Sequence, residues 1–139
     1  MEKDSHTDGD IKKILLDYKR VCVVGVSDTP GKAAHEIPKY LLEKGYTIIP
    51  INPNHDTVLG LKAFRNIEDV DTDFDILDIF RPSEEVLGIV EDVLKKPPKV
   101  IWMQEGIKND GAREMAEKEG VTVVFNRCMM KEHYRLFGS

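Results

Sequence analysis

Residues 25–32 (GVSDTPGK) combine the residue types that can hold a phosphate group. Gly25 directly follows an apolar run, and a glycine there lets the backbone approach a ligand closely. The start of a following helix offers unpaired N–H groups to an anion, and Lys32 adds a positive charge. The spacing is neither the G-x-G-x-x-G fingerprint nor a P-loop. Phosphate binding and an ordinary strand-to-helix turn both remain open for this segment.

An arginine occupies a similar position after another apolar run, in residues 80–83 (FRPS). The guanidinium fork of Arg81 matches the geometry of phosphate oxygens. Phe80 and Pro82 offer flat apolar surfaces for a purine ring. The alternative interpretation is a solvated arginine followed by a proline that only starts a helix.

Asn52 lies in residues 50–54 (PINPN), at the end of an apolar segment. A nicotinamide dinucleotide site usually has Asp or Glu here to hold the ribose hydroxyls. The neutral Asn52 removes that anchor and leaves room for a ligand with an additional phosphate on its ribose. Asn-Pro is also a favourable turn, so a purely structural role for Asn52 and Pro53 is the alternative.

Gln104, Glu105 and Gly106 follow a further apolar segment. The two polar side chains could hydrogen-bond the polar tail of a ligand, and the glycine permits close backbone approach. These residues therefore extend the candidate binding set beyond the phosphate-binding positions.

Candidates for covalent chemistry are few. Cys128 lies beside Arg127 and before a predicted helix, and both features lower the pKa of a thiol; a buried cysteine that only packs is the alternative. The four histidines lack the spacing of metal ligands. No nucleophile with a partnered histidine can be assigned, so the sequence predicts no catalytic residue and no metal site.

These positions are set by an alternation of strand and helix patterns. Segments with the composition of buried parallel strands are Val21–Val26, Thr47–Ile51, Asp75–Phe80, Val100–Met103 and Val121–Phe125. Helical patterns cover Ile11–Tyr18, Lys32–Lys44, Ser83–Lys96, Asn109–Glu119 and Met130–Phe137, with a further helical turn near Asn66–Val70. Pro38 is expected in the first turn of its helix or at a kink.

This alternation predicts an α/β fold: a single-domain, Rossmann-like, doubly wound sheet of five parallel strands. Right-handed crossovers bring the carboxyl ends of all the strands to one edge. Ligands of such sheets bind at that edge, where the strand order reverses. Because the candidate residues follow the strand ends, we expect them to share one site.

Composition narrows the class of protein further. The chain of 139 residues is 41% hydrophobic, and its 20 basic and 25 acidic residues give a net charge of −5. This balance disfavours phosphate-led nucleic-acid binding. The polar N-terminus and the short apolar runs predict neither a signal peptide nor a membrane span. Two cysteines make no disulfide framework, so we expect a soluble cytoplasmic protein.

Five segments, taken in order, resemble a known family: VCVVGVSDTPGK, YTIIPINPNHDTVLG, DILDIFRPSEEV, VIWMQEGI and VTVVFNRCMMKEH. Over about residues 19–133 the chain is similar to the small stand-alone CoA-binding proteins of bacteria and archaea. Those proteins resemble the CoA-binding domain of succinyl-CoA synthetase alpha subunits and of ADP-forming acyl-CoA synthetases. The resemblance implies a five-stranded Rossmann-like sheet that holds coenzyme A, or an acyl-CoA, at its carboxyl edge.

The resemblance also implies a role for each candidate segment. The turn after the first strand would hold the diphosphate, the segments after the second and third strands would line the nucleotide, and the segment after the fourth would approach the pantetheine arm. In that order the residues are Gly25, Val26, Ser27, Asn52, Pro53, Phe80, Arg81, Pro82, Gln104, Glu105 and Gly106. Lys32 and His55 match the family pattern less closely.

The synthetases also need a domain with a phosphorylated histidine and an ATP-grasp partner, for which 139 residues leave no room. We therefore expect a CoA-binding module without covalent chemistry of its own, acting alone, as a homo-oligomer or beside a separate synthetase subunit. One alternative is an enzyme: a subunit of a split synthetase, or a thiol-redox protein that uses Cys128. Another is an NAD(P)-binding protein of the redox-sensor type.

Overall fold

The computed structural model describes residues 1–138 of the protein. Its strands are β1 (Arg20–Val24), β2 (Thr47–Ile51), β3 (Thr57–Val58), β4 (Leu61–Lys62), β5 (Ile76–Ile79), β6 (Val100–Met103) and β7 (Thr122–Val124). Its α-helices are α1 (Asp8–Asp17), α2 (Ala33–Glu43), α3 (Ser83–Val93), α4 (Asp110–Lys118) and α5 (Met129–Phe137). Within these residues, no helix has the length and apolarity needed to cross a bilayer.

The main sheet has the strand order β2-β1-β5-β6-β7, and all four pairings are parallel. The chain leaves β1 for its neighbour β2 on one side and returns to β5 on the other. The reversal of strand order therefore lies between β1 and β5, which is where ligands of doubly wound sheets bind. The predicted Rossmann-like α/β fold is confirmed.

Helices cover both faces of this sheet, which explains why its strands read as nearly continuous apolar runs. Side chains of α1, α2 and α5 pack in one hydrophobic cluster with one face, and those of α3 and α4 pack with the other. Trp102 of β6 is fully buried in the first cluster. Its indole Nε1–H donates to the carbonyl of Arg127 at 2.8 Å, so it is a core residue.

The second helix, α2, contains Pro38 in its second turn rather than in the expected first turn. A proline has no N–H to donate to the carbonyl four residues earlier, which is that of Ala34. The Ala34 carbonyl instead accepts the N–H of Ser27 at 3.0 Å. The proline thus frees an acceptor that ties the turn after β1 to the helix.

The long connection from β2 to β5 lies at the carboxyl edge of the sheet, beside the reversal of strand order. It contains the expected helical turn, as a 3₁₀ helix over Ile67–Asp69, and also an unpredicted hairpin of β3 and β4. The hairpin turns at Leu59 and Gly60, whose φ angles are +56° and +74°. Leucine is uncommon with positive φ. Because Leu59 stands where Asn or Asp is usual, the sequence does not show the Asn-Gly signal that predicts such a turn. Phe64 then pairs with the end of β2.

The N-terminal segment, residues 1–6, lies along the edge strand β7. The Asp4 carboxylate accepts the N–H of Phe125 at 2.9 Å, and His6 Nε2 lies 2.8 Å from the Val123 carbonyl oxygen. Asp4 also forms a buried ion pair with Arg127, with 2.7 Å between Nη2 and Oδ1. Burial alone would raise the pKa of Asp4, but hydrogen bonds from Arg127, Phe125 and His6 outweigh it and lower the pKa. The segment thus covers backbone groups that an edge strand would otherwise expose.

We expect Asp4→Ala to lower the free energy of unfolding by about 3 kcal/mol, because it leaves the buried Arg127 guanidinium with only the more distant Glu132 carboxylate, 3.8 Å from Nη1, as a counter-charge. Chemical denaturation measures this change. The matched control is Glu2→Ala, which removes an exposed carboxylate paired with Lys108 and should cost less than about 1 kcal/mol. Equal effects of the two substitutions would contradict a structural role for the Asp4–Arg127 pair.

Asp78, in the middle of β5, is fully buried on the same sheet face as Trp102. Its Oδ1 accepts from Nε2 of the buried Gln104 at 2.5 Å, whereas Asp78 Oδ2 and Gln104 Oε1 have no partner. Burial raises the pKa of Asp78 to about 7, although the bond from Gln104 acts in the opposite direction. A proton on Oδ2 would turn one of the two unpaired acceptors into a donor.

Because its pKa is higher in the folded than in the unfolded chain, Asp78 stabilises the fold most at low pH. Its contribution falls as the pH rises from about 4 to about 7, by up to about 1.4 kcal/mol per pH unit. An asparagine at this position keeps the same shape but cannot ionise. We therefore expect Asp78→Asn to gain stability relative to the wild type as the pH rises from about 4 to about 7 in urea titrations. Parallel stability curves for the two proteins would contradict a neutral, buried Asp78.

Candidate functional site

A groove of about 770 Å³ lies at the carboxyl edge of the sheet, beside the reversal of strand order. The turns after β1 and β2, residues 65–68 and one side of α3 form its walls. Its volume is within the range of about 300–1,000 Å³ found for small-molecule sites. Of the candidate residues, it is lined by Gly25, Val26, Ser27, Lys32, Asn52, Pro53 and Arg81, and also by His55.

Gly25 marks the point where the ends of β1 and β5 come closest. Its φ is +87°, and a Cβ atom there would lie 2.9 Å from Arg81 Cδ and 3.1 Å from the carbonyl carbon and oxygen of Phe80. No L side chain tolerates that combination of backbone angle and space. The absence of a side chain lets the turn after β1 lie directly against Arg81.

The turn after β1 is held rigidly by its own hydrogen bonds. The Ser27 N–H donates to the Ala34 carbonyl, Ser27 Oγ accepts the Thr29 N–H at 3.0 Å, and His35 Nδ1 lies 2.8 Å from the Ser27 carbonyl oxygen. The N–H of Ser27 is therefore not free for a ligand. Among residues 1–138, the N–H groups of Val26 and Asp28 make no backbone hydrogen bond.

At the start of α2, which borders the groove, the N–H groups of Ala33 and Ala34 make no hydrogen bond to any residue that the structure describes. The His35 N–H donates to the Lys32 carbonyl at 2.9 Å, and the Gly31 N–H donates to the Glu36 carboxylate at 3.2 Å. The N-cap residue, Lys32, makes no side-chain capping bond, while Lys32 and Ala34 both line the groove. The first N–H groups of a helix have no partner within the helix, and they carry the positive end of its dipole. An anion can occupy this position, with the Lys32 ammonium group as an additional positive charge.

Asn52 is buried and holds two turns together. Its Nδ2 donates to the Val26 carbonyl at 3.1 Å, and its Oδ1 accepts the N–H groups of Asn54 and His55 at 2.7 and 3.1 Å. Both polar atoms of the side chain are thus bonded within the protein. At the same position, a nicotinamide dinucleotide site has a carboxylate that binds the ribose. Asn52 fixes the shape of the groove.

Arg81 lies just before α3 and is bound to Glu85 in the first turn of that helix. The distance from Nη2 to Oε2 is 2.8 Å, and the distances from Nη2 and Nε to Oε1 are 3.1 and 3.3 Å. Both side chains are about half exposed and line the groove. Arg81 thus occupies the predicted position, but with part of its donor fork already bound to a carboxylate.

The apolar surface of the groove differs from the one that the sequence suggested. Phe80 packs against the hydrophobic cluster of α1, α2 and α5, and Pro82 is the N-cap of α3; neither lines the groove. Ile67 and Ile89 do line it. Ile89 lies four residues after Glu85 and so shares its side of the helix, but its place in the apolar stripe of α3 indicates only a core residue.

Residues 104–106 also lie outside the groove, and each is bound within the protein. Gln104 is buried and donates to Asp78. Glu105 pairs with Lys131 at 2.9 Å, and the Gly106 N–H donates to Asn126 Oδ1 at 2.6 Å. The structure therefore does not bring these three residues together with the positions that the sequence predicts to bind phosphate.

Cys128 is the N-cap residue of α5 and is only 5% exposed. Burial raises the pKa of its thiol, despite opposing hydrogen bonds from the backbone of Lys131 and Met130. The neighbouring Arg127 guanidinium is turned to Asp4. This environment disfavours the thiolate that a redox role would need.

Several known proteins are similar to this chain in both sequence and fold. The family described as CoA binding domain matches residues 19–134. The uncharacterized protein YneT of Bacillus subtilis is 39% identical over 124 residues, which cover 89% of this chain and 92% of YneT. The structure of a hypothetical protein from Pyrococcus horikoshii superposes with a TM-score of 0.93 at 39% identity, over 99% of this chain and 100% of that one.

The acetate–CoA ligase (ADP-forming) of Methanocaldococcus jannaschii is 29% identical over 134 residues, which cover 89% of this chain but 19% of the ligase. The chain thus spans about a fifth of that enzyme. The match of residues 19–134, together with a relative that is similar over nearly its full length, establishes the relationship: this chain belongs to the CoA binding domain family.

Proposed function

We propose that this protein binds coenzyme A, or an acyl-CoA, in the groove between β1 and β5, and that it performs no covalent chemistry of its own. The observation that carries the proposal is the convergence of the uncapped start of α2, Lys32 and Arg81 on one groove, in a chain of the CoA binding domain family. Backbone donors and cations so arranged suit a diphosphate.

In this proposal the diphosphate lies against the turn after Gly25 and the start of α2. Lys32 and Arg81 neutralise its charge from two sides of the groove. The adenine ring lies between Ile67 and Ile89, which supply the apolar surface that the sequence predicts at Phe80 and Pro82. Ser27 contributes through the shape of the turn, because its N–H is bound to Ala34.

The pantetheine arm extends from the groove along the carboxyl edge towards the end of β6. Glu105 and Gly106 follow that strand and are exposed, so they are positioned to contact the far end of the arm. Gln104 supports this loop from the core through its bond to Asp78 and does not contact the ligand.

Binding without catalysis is supported by the residues that line the groove in the described part of the chain. They include no cysteine, and the hydroxyl oxygen of Ser27 accepts the Thr29 N–H. The second candidate function, a subunit of a split synthetase, is favoured by the similarity to the ligase and requires other polypeptides.

The cytoplasmic location stays a prediction, as does the single-domain organisation.

We expect coenzyme A to raise the melting temperature of the purified protein by several degrees, whereas NAD at the same concentration should not. A ligand selective for the folded state adds about 2.7 kcal/mol of stability at one hundred times its Kd. NAD finds no carboxylate at residue 52 that could bind its ribose hydroxyls, because Asn52 is neutral and its amide is bonded to the Val26 carbonyl. Differential scanning fluorimetry makes the comparison, and a larger shift with NAD would favour the redox-sensor alternative.

We expect Lys32→Ala to weaken the binding of coenzyme A about fivefold to tenfold, or about 1–1.4 kcal/mol, because it removes a charge at the phosphate position. Isothermal titration calorimetry gives the Kd. Lys39→Ala is the matched control, since Lys39 is an exposed lysine on the same helix that does not line the groove. Equal weakening by both substitutions would indicate a general charge effect in place of a contact.

A further inference from the structure

Glu85 is a carboxylate in a place where the proposed ligand carries negative charge. It lines the groove, and its two oxygens bind the Nε and Nη2 groups of Arg81 at 2.8–3.3 Å. Glu84, the preceding residue, is also exposed and acidic, but it does not line the groove. The two neighbours therefore differ in surroundings while sharing charge and helix position.

The stem of Arg81 is also held by the turn after β1. Its Cδ lies 2.9 Å from the position that a Cβ of residue 25 would take, so the arginine stem packs on the turn that is proposed to hold the diphosphate. A phosphate at that turn lies within reach of the guanidinium. It would meet donors that a carboxylate already occupies in part.

From this geometry we propose that Glu85 sets the affinity of the groove for phosphorylated ligands by competing with the ligand phosphate for the Arg81 guanidinium. The inference rests on the proposed function and adds an internal competitor to it. When Glu85 keeps Arg81, the ligand loses a charge-assisted contact; when the ligand takes Arg81, Glu85 is left unpaired beside a second anion. Both states weaken binding relative to a groove without this carboxylate.

Titration calorimetry with coenzyme A tests the competition on the full chain. We expect Glu85→Gln to lower the Kd about fivefold to tenfold, and the matched Glu84→Gln to change it less than twofold. Both substitutions remove one negative charge from the first turn of α3, so their effects on the helix itself are alike. A Kd that is unchanged or raised in Glu85→Gln overturns the inference, because a carboxylate that merely positions Arg81 would have that effect.

A double-mutant cycle separates competition from simple repulsion. If Glu85 occupies the donors of Arg81, Arg81→Gln should raise the Kd severalfold more in the Glu85→Gln background than in the wild type. Additive effects would indicate two independent charges and would overturn the competition. Melting temperatures of each variant without ligand confirm that the fold is retained.

If neither the wild type nor Glu85→Gln binds coenzyme A, the proposed function fails together with the inference. If the wild type binds and the Kd is unchanged in Glu85→Gln, the inference alone fails.

Discussion

The close approach of Gly25 to the Phe80 carbonyl and to the Arg81 side chain is the constraint on which the rest of the site depends. At the reversal of strand order, β1 and β5 run side by side, and the chain must turn from each into a helix on a different face of the sheet. A Cβ at residue 25 would lie 3.1 Å from the Phe80 carbonyl on a backbone with φ +87°, so any other residue would strain the contact between the two turns. The close approach brings the positive end of α2 and the Arg81 guanidinium to the same groove.

A second constraint keeps that helix start available to an anion. Pro38 cannot donate to the Ala34 carbonyl, which therefore binds the Ser27 N–H and draws the turn onto the first turn of α2. Asn52 fixes the other side of the same turn through the Val26 carbonyl. Polar groups of the loops thus satisfy one another, while the N–H groups of Ala33 and Ala34 at the helix start make no hydrogen bond within residues 1–138.

The sequence predicted the strands, the sheet and the residues that line the groove where we propose that the phosphates bind, because apolar runs and the residues that follow them are local features. It did not predict the isoleucines that line the other side, where we propose that the adenine binds. Ile67 reaches the groove through a 24-residue connection from β2 to β5, with a hairpin turn at Leu59, which is an unusual residue for positive φ. The environments of Gln104 and Cys128 also depend on residues distant in the chain. Gln104 is buried and bonded to Asp78, and burial raises the pKa of the Cys128 thiol. Sequence spacing does not show such tertiary pairings.

A crystal structure of the protein with bound coenzyme A tests the central claim most directly. The account predicts the diphosphate at the turn after Gly25, within hydrogen-bond distance of backbone N–H groups at the start of α2 and of the Arg81 guanidinium, with the adenine ring between Ile67 and Ile89. Coenzyme A bound elsewhere on the protein, with this groove empty, would contradict it.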